Sequence, residues 1–213
     1  MKTVVIIFAA VVAVNANQKC TGVPRKYNGK LCASTTHYHD NQKGACGCGT
    51  DPNTPFSWNM HSYTVAANEM LFDSPKAWCG KTCGRCVKLT TTGGYVEHEG
   101  SAPKHGAGQS VVFMITNECP RNGNMKWCGQ RIAPHECERE HGQCAQNGGL
   151  NNFGYAVHFD VETGAGQVTQ LGWDNPEVTM EFVDCNQAHA HNSKTPNIQM
   201  YHQCQCAGGN GKK

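Results

Sequence analysis

The sequence has little net charge and no hydrophobic run long enough to span a membrane. Its formal net charge is +2 over 213 residues, too little for the field that draws proteins to nucleic acid or anionic lipid. The apolar run Val4–Val14 is shorter than the about 20 residues that a spanning helix needs. The sequence also lacks an Asn-x-Ser/Thr sequon, an internal repeat and a Pro/Ser/Thr-rich linker. These absences argue against nucleic-acid and membrane partners and against a separate linker-joined module, and a neutral polymer is a compatible ligand.

The first residues have the pattern of a secretory signal peptide. Lys2 precedes the apolar run, and Val14-Asn15-Ala16 supplies the small or modest residues that a signal peptidase reads. We expect a signal peptide over residues 1–16, a single catalytic domain over 17–206 and a flexible tail over 207–213. A membrane anchor is the alternative interpretation of the first segment, and its shortness argues against it. The protein is therefore expected to be secreted into an extracellular space such as a digestive lumen.

The cysteines agree with secretion. All 14 follow the signal segment, and an even number in a secreted chain predicts a disulfide framework whose connectivity stays open. Zinc is the alternative ligand, but no pair of Cys-x-x-Cys knuckles has finger spacing. Two histidine pairs with one residue between them, His37/His39 and His189/His191, lack a clear third ligand. We expect no metal and no cofactor.

The fold is predicted to be all-β with short helices. Glycine is abundant at 24 residues, and short strands separated by glycine turns favour a small β-barrel with long loops. One helix is expected where apolar residues recur at helical spacing from Met60 to Leu71, ending at Ser74-Pro75. Strand composition marks four segments, namely Arg85–Thr92, Ser110–Thr116, Gly154–Glu162 and Val178–Asp184.

The segment Gly154–Glu162 is the first that carries chemistry. Its period of two places His158 and Asp160 side by side on one face of a strand. Aspartate is depleted in strands, so the presence of Asp160 within a strand requires an explanation. A solvated outer face is the simpler alternative.

The segment Ser34–Asp40 is the second that contains candidate catalytic residues. If it is extended, Tyr38 and Asp40 share a face, which would offer a sugar-stacking ring beside a carboxylate. An ordinary edge strand followed by a turn is the alternative.

These segments, with three others in order, resemble a known family. The motifs are Ser34-Thr-Thr-His-Tyr-His-Asp40, Cys46-Gly-Cys48, Cys83-Gly-Arg-Cys86-Val-Lys-Leu89-Thr, Thr116-Asn-Glu-Cys119-Pro120 and Tyr155-Ala-Val-His-Phe-Asp160. Together they are similar to glycoside hydrolase family 45, the endo-β-1,4-glucanases, and to its molluscan branch. The resemblance covers nearly the whole chain after the signal segment.

The resemblance implies a six-stranded double-psi β-barrel with an open groove, and a cellulase that hydrolyses β-1,4-glucan with inversion. By motif position Asp160 matches the general acid and Asp40 the general base. An inverting pair needs room for a water, so its carboxyl groups lie about 6.5–9.5 Å apart. Tyr38 and His158 are candidate supporting residues. Asn117 matches an amide near the attacking water in some relatives, with a turn asparagine as the alternative.

Further expectations concern the surroundings of this pair. The loop Asn147–Phe153 contains no acid, although some members have a third aspartate there. The cysteines Cys137 and Cys144 are expected to form an extra local bridge. Trp173 and Tyr38 are the first choices for a sugar platform among the aromatics, and the other tryptophans are Trp58, Trp78 and Trp127. The protein is expected to act as a monomer on β-1,4-glucan.

The alternative function is that of an expansin-like protein that binds or loosens glucan without cleaving it. Such proteins can keep the acid and lack the base. This sequence has both Asp40 and Asp160 on matching motifs, which favours hydrolysis.

Overall fold

The computed structural model describes residues 17–40, 42–49, 61–74, 77–140 and 143–208. The predicted signal peptide and the last five residues of the predicted tail lie outside the described residues. Trp58, Met60 and Pro75 lie outside them as well.

Seven strands and seven short helices make up the described part of the chain. The strands are β1 (Lys26–Tyr27), β2 (Lys30–Tyr38), β3 (Thr64–Asn68), β4 (Cys86–Tyr95), β5 (Ser110–Cys119), β6 (Val157–Glu162) and β7 (Pro176–Val183). The helices are α1 (Glu69–Phe72), α2 (Met125–Cys128), α3 (Pro134–Glu140), α4 (Gln143–Gln146), α5 (Gln167–Leu171), α6 (Cys185–His191) and α7 (Ile198–Tyr201), followed by a 3₁₀ turn at Gln205–Gly208. Among the described residues, no helix has the length and apolar character needed to cross a bilayer.

Six of the strands close into a ring. Each of β2, β6, β3, β5, β4 and β7 pairs with the next, and β7 pairs back to β2. The pairs β2–β6 and β3–β5 are parallel, and the other four pairs are antiparallel. The short β1 forms an outer hairpin with the start of β2. The six-stranded barrel expected from the resemblance is therefore confirmed as a closed ring of strands.

All four predicted strands are present, with bounds shifted by a few residues. The predicted helix is wrong, because its middle is strand β3 and only the single turn α1 follows. All five residues of β3 are buried. Val65 and Ala67 face the barrel core, and Ala66 faces the apolar cluster that holds Trp127. A short apolar run of this kind suits a fully buried strand as well as a helix, and periodicity does not separate the two. Asp73, with φ 57°, ends α1 rather than the predicted Ser74-Pro75.

The barrel interior is filled by aliphatic and aromatic side chains from every strand of the ring. Completely buried examples lie on neighbouring strands: Ala33, Val65, Val87, Leu89, Phe113, Ile115, Val157, Phe159 and Val178. Burial of an aliphatic or aromatic side chain contributes about 1.5–3 kcal/mol. This core fixes the strands whose outer faces carry the polar residues of interest.

All 14 cysteines are paired in seven disulfides. The pairs are Cys20–Cys32, Cys46–Cys83, Cys48–Cys204, Cys79–Cys206, Cys86–Cys185, Cys119–Cys128 and Cys137–Cys144. The last of these is the predicted local bridge, and it joins α3 to α4. The framework predicted from the cysteine count is confirmed, and three bridges tie the turn at 46–48 and the segment at 79–83 to each other and to the C-terminal residues.

Candidate active site

The register of β2 on β6 brings the two predicted segments together. The parallel pairing sets Ser34 beside His158 and Thr36 beside Asp160. Every residue of β6 is buried, so the face that carries His158 and Asp160 is not the solvated outer face of the simpler alternative. Asp160 keeps 9% of its surface exposed, which leaves its carboxyl group at the edge of a covered site.

His158 holds Asp160 through its Nε2 atom, which lies 3.2 Å from Asp160 Oδ1 and 2.9 Å from Thr36 Oγ1. Its other ring nitrogen, Nδ1, lies 2.9 Å from Ser34 Oγ. Asn151 donates from Nδ2 to the same serine oxygen at 2.9 Å. The Ser34 hydroxyl therefore accepts from Asn151 and can give its own hydrogen to Nδ1. That assignment leaves the proton of the neutral imidazole on Nε2, directed at Thr36 and Asp160.

The helix α2 packs against the same histidine. The Trp127 ring lies over the His158 ring with their centroids 5.3 Å apart and an interplanar angle of 27°. Phe153 covers the other part of the tryptophan, with a centroid distance of 4.1 Å. The imidazole is therefore fixed by ring contacts on its face and by hydrogen bonds at both nitrogens.

The disulfide Cys119–Cys128 lies directly beside this pair. Its two sulfur atoms, one ring nitrogen of His158 and one carboxylate oxygen of Asp160 all lie within 4.8 Å of one another. These four residue types could bind a metal, but zinc needs thiolates and both sulfurs here are bonded to each other. The cluster therefore offers only the imidazole and the carboxylate as ligands.

Asp40 lies in a different environment, in an exposed turn two residues after β2 ends. Its Oδ1 accepts from the backbone N–H of Gln42 at 3.1 Å, and its Oδ2 accepts from Asn117 Nδ2 at 3.3 Å. The turn thus holds Asp40 as a solvent-exposed side chain with a hydrogen-bond donor at each oxygen.

Asn117 is oriented by the backbone around it. Its Oδ1 accepts from the N–H groups of Ala45 at 2.8 Å and Glu118 at 2.9 Å, so its amide nitrogen must point to Asp40 and to the Tyr38 hydroxyl, 3.3 Å away. Gly44 allows this approach, because at its φ of +72° a Cβ would lie 2.7 Å from the Thr116 carbonyl oxygen. The interpretation of Asn117 as a plain turn residue is therefore incomplete, since its amide reaches the carboxylate.

Tyr38 links the two sides of the site. Burial, followed by the negative charge of Glu162, raises the pKa of Tyr38 well above its usual value, so its hydroxyl stays protonated. Glu162 is itself buried, and its Oε1 is held by the His39 ring and by the Gly164 N–H at 2.9 Å. The tyrosine hydroxyl is thus a fixed neutral group between Asn117 and the β6 carboxylates.

A cavity of about 300 Å³ opens beside Asp40. Trp78 lines it, half-buried, with the Lys43 ammonium 5.2 Å from its ring centre. Glu118 lines it as well, and both carboxylate oxygens of Glu118 are buried without a hydrogen-bond partner. Burial, followed by the nearby charge of Glu69, raises the pKa of Glu118 to about 7.

Trp173 does not belong to the site, so its expected role as a sugar platform is corrected. Its ring is 2% exposed and packs against Phe113 in the barrel core, with a centroid distance of 5.7 Å. Its Nε1 donates to Gln109 Oε1 at 2.8 Å. A ring enclosed in this way has no free face for a sugar, whereas Trp78 is only partly buried and lines the cavity beside Asp40.

Sequence reasoning missed several residues that contact the predicted ones. Asn151 lies in the loop that was noted only for its lack of an acid, and Trp127 was considered only as one of four tryptophans. The position of the Cys119–Cys128 bridge beside Asp160 had no sequence signal, because it depends on how α2 folds back over β6. The motif Thr116-Asn-Glu-Cys119-Pro120 gave no indication that Cys119 pairs with Cys128.

Comparisons with known proteins find one matching family model and two relatives that are both endoglucanases. Residues 33–191 match the family described as EXPB1-like domain 1. The chain is 51% identical over 194 residues to an endoglucanase of Mytilus edulis, covering 90% of this chain and 99% of that protein. It is 37% identical over 158 residues to Endoglucanase-5 of Hypocrea jecorina, covering 72% of this chain and 56% of that protein.

Solved structures agree with these sequence matches. The β-1,4-D-endoglucanase Cel45A from the blue mussel Mytilus edulis superimposes with a TM-score of 0.78 over 90% of this chain and 99% of that one, at 51% identity. The GH45 endoglucanase EG27II in complex with cellobiose superimposes with a TM-score of 0.74 over 89% of this chain and 98% of that one, at 45% identity.

Proposed function

The chain belongs to glycoside hydrolase family 45 and is an endoglucanase, and from that premise we propose that it hydrolyses internal β-1,4-glucosidic bonds with inversion. Asp160 is the general acid and Asp40 the general base. The observation that carries this assignment is the contrast between their surroundings. Asp160 lies at the edge of a buried polar network on β6, and Asp40 lies in an exposed turn with donors to both oxygens.

The acid step uses the Asp160 oxygen that His158 does not hold. The Nε2–H of His158 occupies Oδ1, so Oδ2 carries the proton to the glycosidic oxygen as the bond to the anomeric carbon breaks. Proton delivery of this kind contributes roughly 10²–10⁴-fold to the rate. Because His158 is fixed at both ring nitrogens, the carboxyl group meets the substrate in one orientation.

The base step uses Asp40 on the opposite face of the sugar ring. Its carboxylate takes a proton from a water that attacks the anomeric carbon, and Asn117 and the Gln42 N–H keep it aimed. Attack from the face opposite the leaving group inverts the configuration. The β-linkage therefore gives an α-anomer as the first product.

The substrate is a β-1,4-glucan chain such as cellulose or its soluble derivatives. This rests on the names of the relatives, among which EG27II has a structure with cellobiose, and on Trp78, whose half-exposed ring beside Asp40 can stack on a glucose unit. We propose that the protein acts outside the cell as a monomer, as a single catalytic domain over residues 17–206. The seven disulfides support an oxidising extracellular compartment.

The test is a digest of carboxymethyl-cellulose and cellohexaose with wild type, Asp40→Asn and Asp160→Asn. Wild type is expected to lower the viscosity quickly and to release α-anomers, observed by NMR within the first minutes. Each variant is expected to lose roughly 10²–10⁴-fold in kcat. Asp73→Asn is the matched control, because Asp73 is an exposed partner of Lys81 and its left-handed backbone suits asparagine. Retained activity in both site variants would refute the roles, and initial β-anomers would refute inversion.

The match to EXPB1-like domain 1 supports a second candidate function, glucan binding without cleavage. The same digest separates the two functions, because a binding protein would pull down with cellulose and leave the viscosity unchanged. The presence of both Asp40 and Asp160 favours hydrolysis.

A further inference from the structure

We propose that the Cys119–Cys128 disulfide, together with Ala66, is a positioning element of the reaction: an apolar wall that covers one side of the Asp160 carboxyl group and keeps water and hydrogen-bond donors from it. This inference rests on the proposed role of Asp160 as the acid. The bridge then has a chemical task besides holding the chain.

The distances place the sulfur atoms against the acid. Both lie within 4.8 Å of an Asp160 carboxylate oxygen and of a His158 ring nitrogen. The two cysteines are 3% and 0% exposed. A sulfur atom within a disulfide bears no hydrogen to donate, so these two atoms give the carboxyl group no hydrogen bond.

The neighbouring strand completes the wall. Ala66 on β3 is paired directly opposite Asp160, so their side chains share one face of the sheet. Ala66 is 2% exposed and packs in the same apolar cluster as both cysteines and Trp127. On this side Asp160 therefore faces the two sulfur atoms and the Ala66 methyl group.

The polar groups near the wall lie on β5, β6 and β2. Asn117 on β5 is paired with Ala66, and its amide nitrogen is directed to Tyr38 and Asp40. His158 lies on the same strand as Asp160, and Thr36 and Tyr38 lie on β2. Glu162 lies further along β6, and Asp40 lies beyond the end of β2. A general acid must keep its proton until the bond breaks, and the sulfur atoms and the methyl group offer no donor that would compete for its carboxyl oxygens. The geometry gives this task to the wall.

The disulfide also joins the two halves of the site. Cys119 ends β5, the strand that carries Asn117 on the base side, and Cys128 ends α2, which carries Trp127 on the acid side. The bridge closes a loop with a sequence separation of only 9, so its effect on the entropy of the unfolded chain is modest. Its stabilising effect is therefore smaller than that of the long-range bridges, which is consistent with a local task at the site.

The main experiment compares two bridges of similar loop length. Cys119→Ala/Cys128→Ala removes the wall, and Cys137→Ala/Cys144→Ala removes the α3–α4 bridge of sequence separation 7 as the matched control. We measure kcat, KM and the melting temperature of each on cellohexaose. The site pair is expected to lose about tenfold in kcat with KM nearly unchanged, below the roughly 10²–10⁴-fold of full proton transfer. The control pair is expected to keep the wild-type kcat. Equal kcat losses in the two pairs, or wild-type kcat in the site pair, would overturn the proposal.

A second pair of variants leaves every disulfide in place, so it tests the wall even if the cysteine variants fold poorly. Ala66→Ser puts a hydroxyl beside Asp160, and Ala67→Ser puts one into the barrel core opposite Phe159. Both bury a hydroxyl, but only the first can donate a hydrogen bond to Asp160. Ala66→Ser is therefore expected to move the alkaline limb of the kcat/KM profile to lower pH, and Ala67→Ser is expected to leave the limb in place. A limb that stays in place in Ala66→Ser, or moves equally in both, refutes the wall.

The Asp160→Asn variant separates this inference from the proposed function. If Asp160→Asn loses turnover and the wall variants do not, only the wall is refuted. If Asp160→Asn keeps turnover, the assignment of the acid fails first, and the wall fails with it.

Discussion

Asp40 and Asp160 carry the same chemical group in two different parts of the molecule. Asp160 lies within a strand paired on both sides, with an imidazole, a disulfide and an alanine around it. Asp40 lies beyond the end of its strand, in an exposed turn where a backbone N–H and an amide meet its two oxygens. The core holds the first, and hydrogen bonds at the surface hold the second. One side chain can therefore serve opposite ends of a proton transfer when the fold gives it a covered place and an open one.

Among the neighbours of the two aspartates, the largest expected effect comes from replacing His158, which holds the carboxyl group on the acid side. His158→Phe keeps a ring against Trp127 but loses the Nε2–H that holds Asp160 Oδ1. We expect kcat to fall roughly 10²-fold with little change in KM, because the acid loses its fixed orientation. Steady-state kinetics on cellohexaose measures this.

The control for that variant is His37→Phe, an exposed histidine on β2 whose Nδ1 faces Asn175 rather than the site. It is expected to keep wild-type kcat. A His158→Phe enzyme as active as His37→Phe would show that the buried imidazole has no part in turnover.

A smaller effect is expected on the base side. Asn117→Ala removes the donor to Asp40 and to Tyr38, and a hydrogen bond of about 1.4 kcal/mol corresponds to about tenfold in kcat. Tyr38→Phe removes only the hydroxyl and is expected to cost less. The kcat values of the two variants, measured side by side, decide the order, and a greater loss in Tyr38→Phe would contradict the role given to the amide.

The smallest effect on turnover, and the clearest on stability, is expected at Glu118. Burial and the charge of Glu69 raise its pKa from 4.5 to about 7. The folded state therefore binds this proton more tightly than the unfolded state does. The free energy of unfolding should fall as the pH rises from about 4.5 to about 7, by on the order of 3 kcal/mol, and then level off.

Glu118→Gln removes the carboxyl group that takes up this proton. The free energy of unfolding of this variant should therefore not decline between these pH values. Urea unfolding at pH 5 and pH 8 measures the difference, and turnover at pH 5 should stay close to wild type. Glu181→Gln is the control, because the ammonium groups of Lys88 and Lys30 lower the pKa of Glu181, and its contribution is lost only at lower pH. A decline between pH 5 and pH 8 that is as steep in Glu118→Gln as in wild type would rule out Glu118 as its source.

Local pattern predicted the acid side of the site in part. Alternation along β6 put His158 beside Asp160, because side-chain direction in a strand depends only on sequence parity. The contacts with Ser34 and Asn151 could not be predicted, since they depend on the register between β2 and β6 and on the course of a loop. The resemblance supplied Asp40 and Asn117, which alternation alone could not have joined.

The two errors share a physical cause. The run around Ala67 was interpreted as a helix because apolar residues at helical spacing also occur in a strand that is buried on both faces. Trp173, within Gly172-Trp173-Asp174-Asn175-Pro176, is a first choice for a sugar platform, but these neighbours do not determine which way its ring points. Its ring turns inward onto Phe113, and the direction of a loop side chain is decided by the core that it can reach.

The three bridges that join residues 46–48, 79–83 and 204–206 have a consequence for survival among proteases. A cut of the peptide backbone anywhere between Cys48 and Cys79 leaves Cys46 and Cys48 on one fragment and their partners, Cys83 and Cys204, on the other. The two fragments stay linked by two covalent bonds. Cys79–Cys206 fastens the C-terminal residues to the second fragment at a further point. A molecule nicked in this stretch is therefore still one covalent molecule, and where the cut falls outside β3 every strand of the ring stays intact. We expect such a nicked form to survive in a medium that digests other proteins.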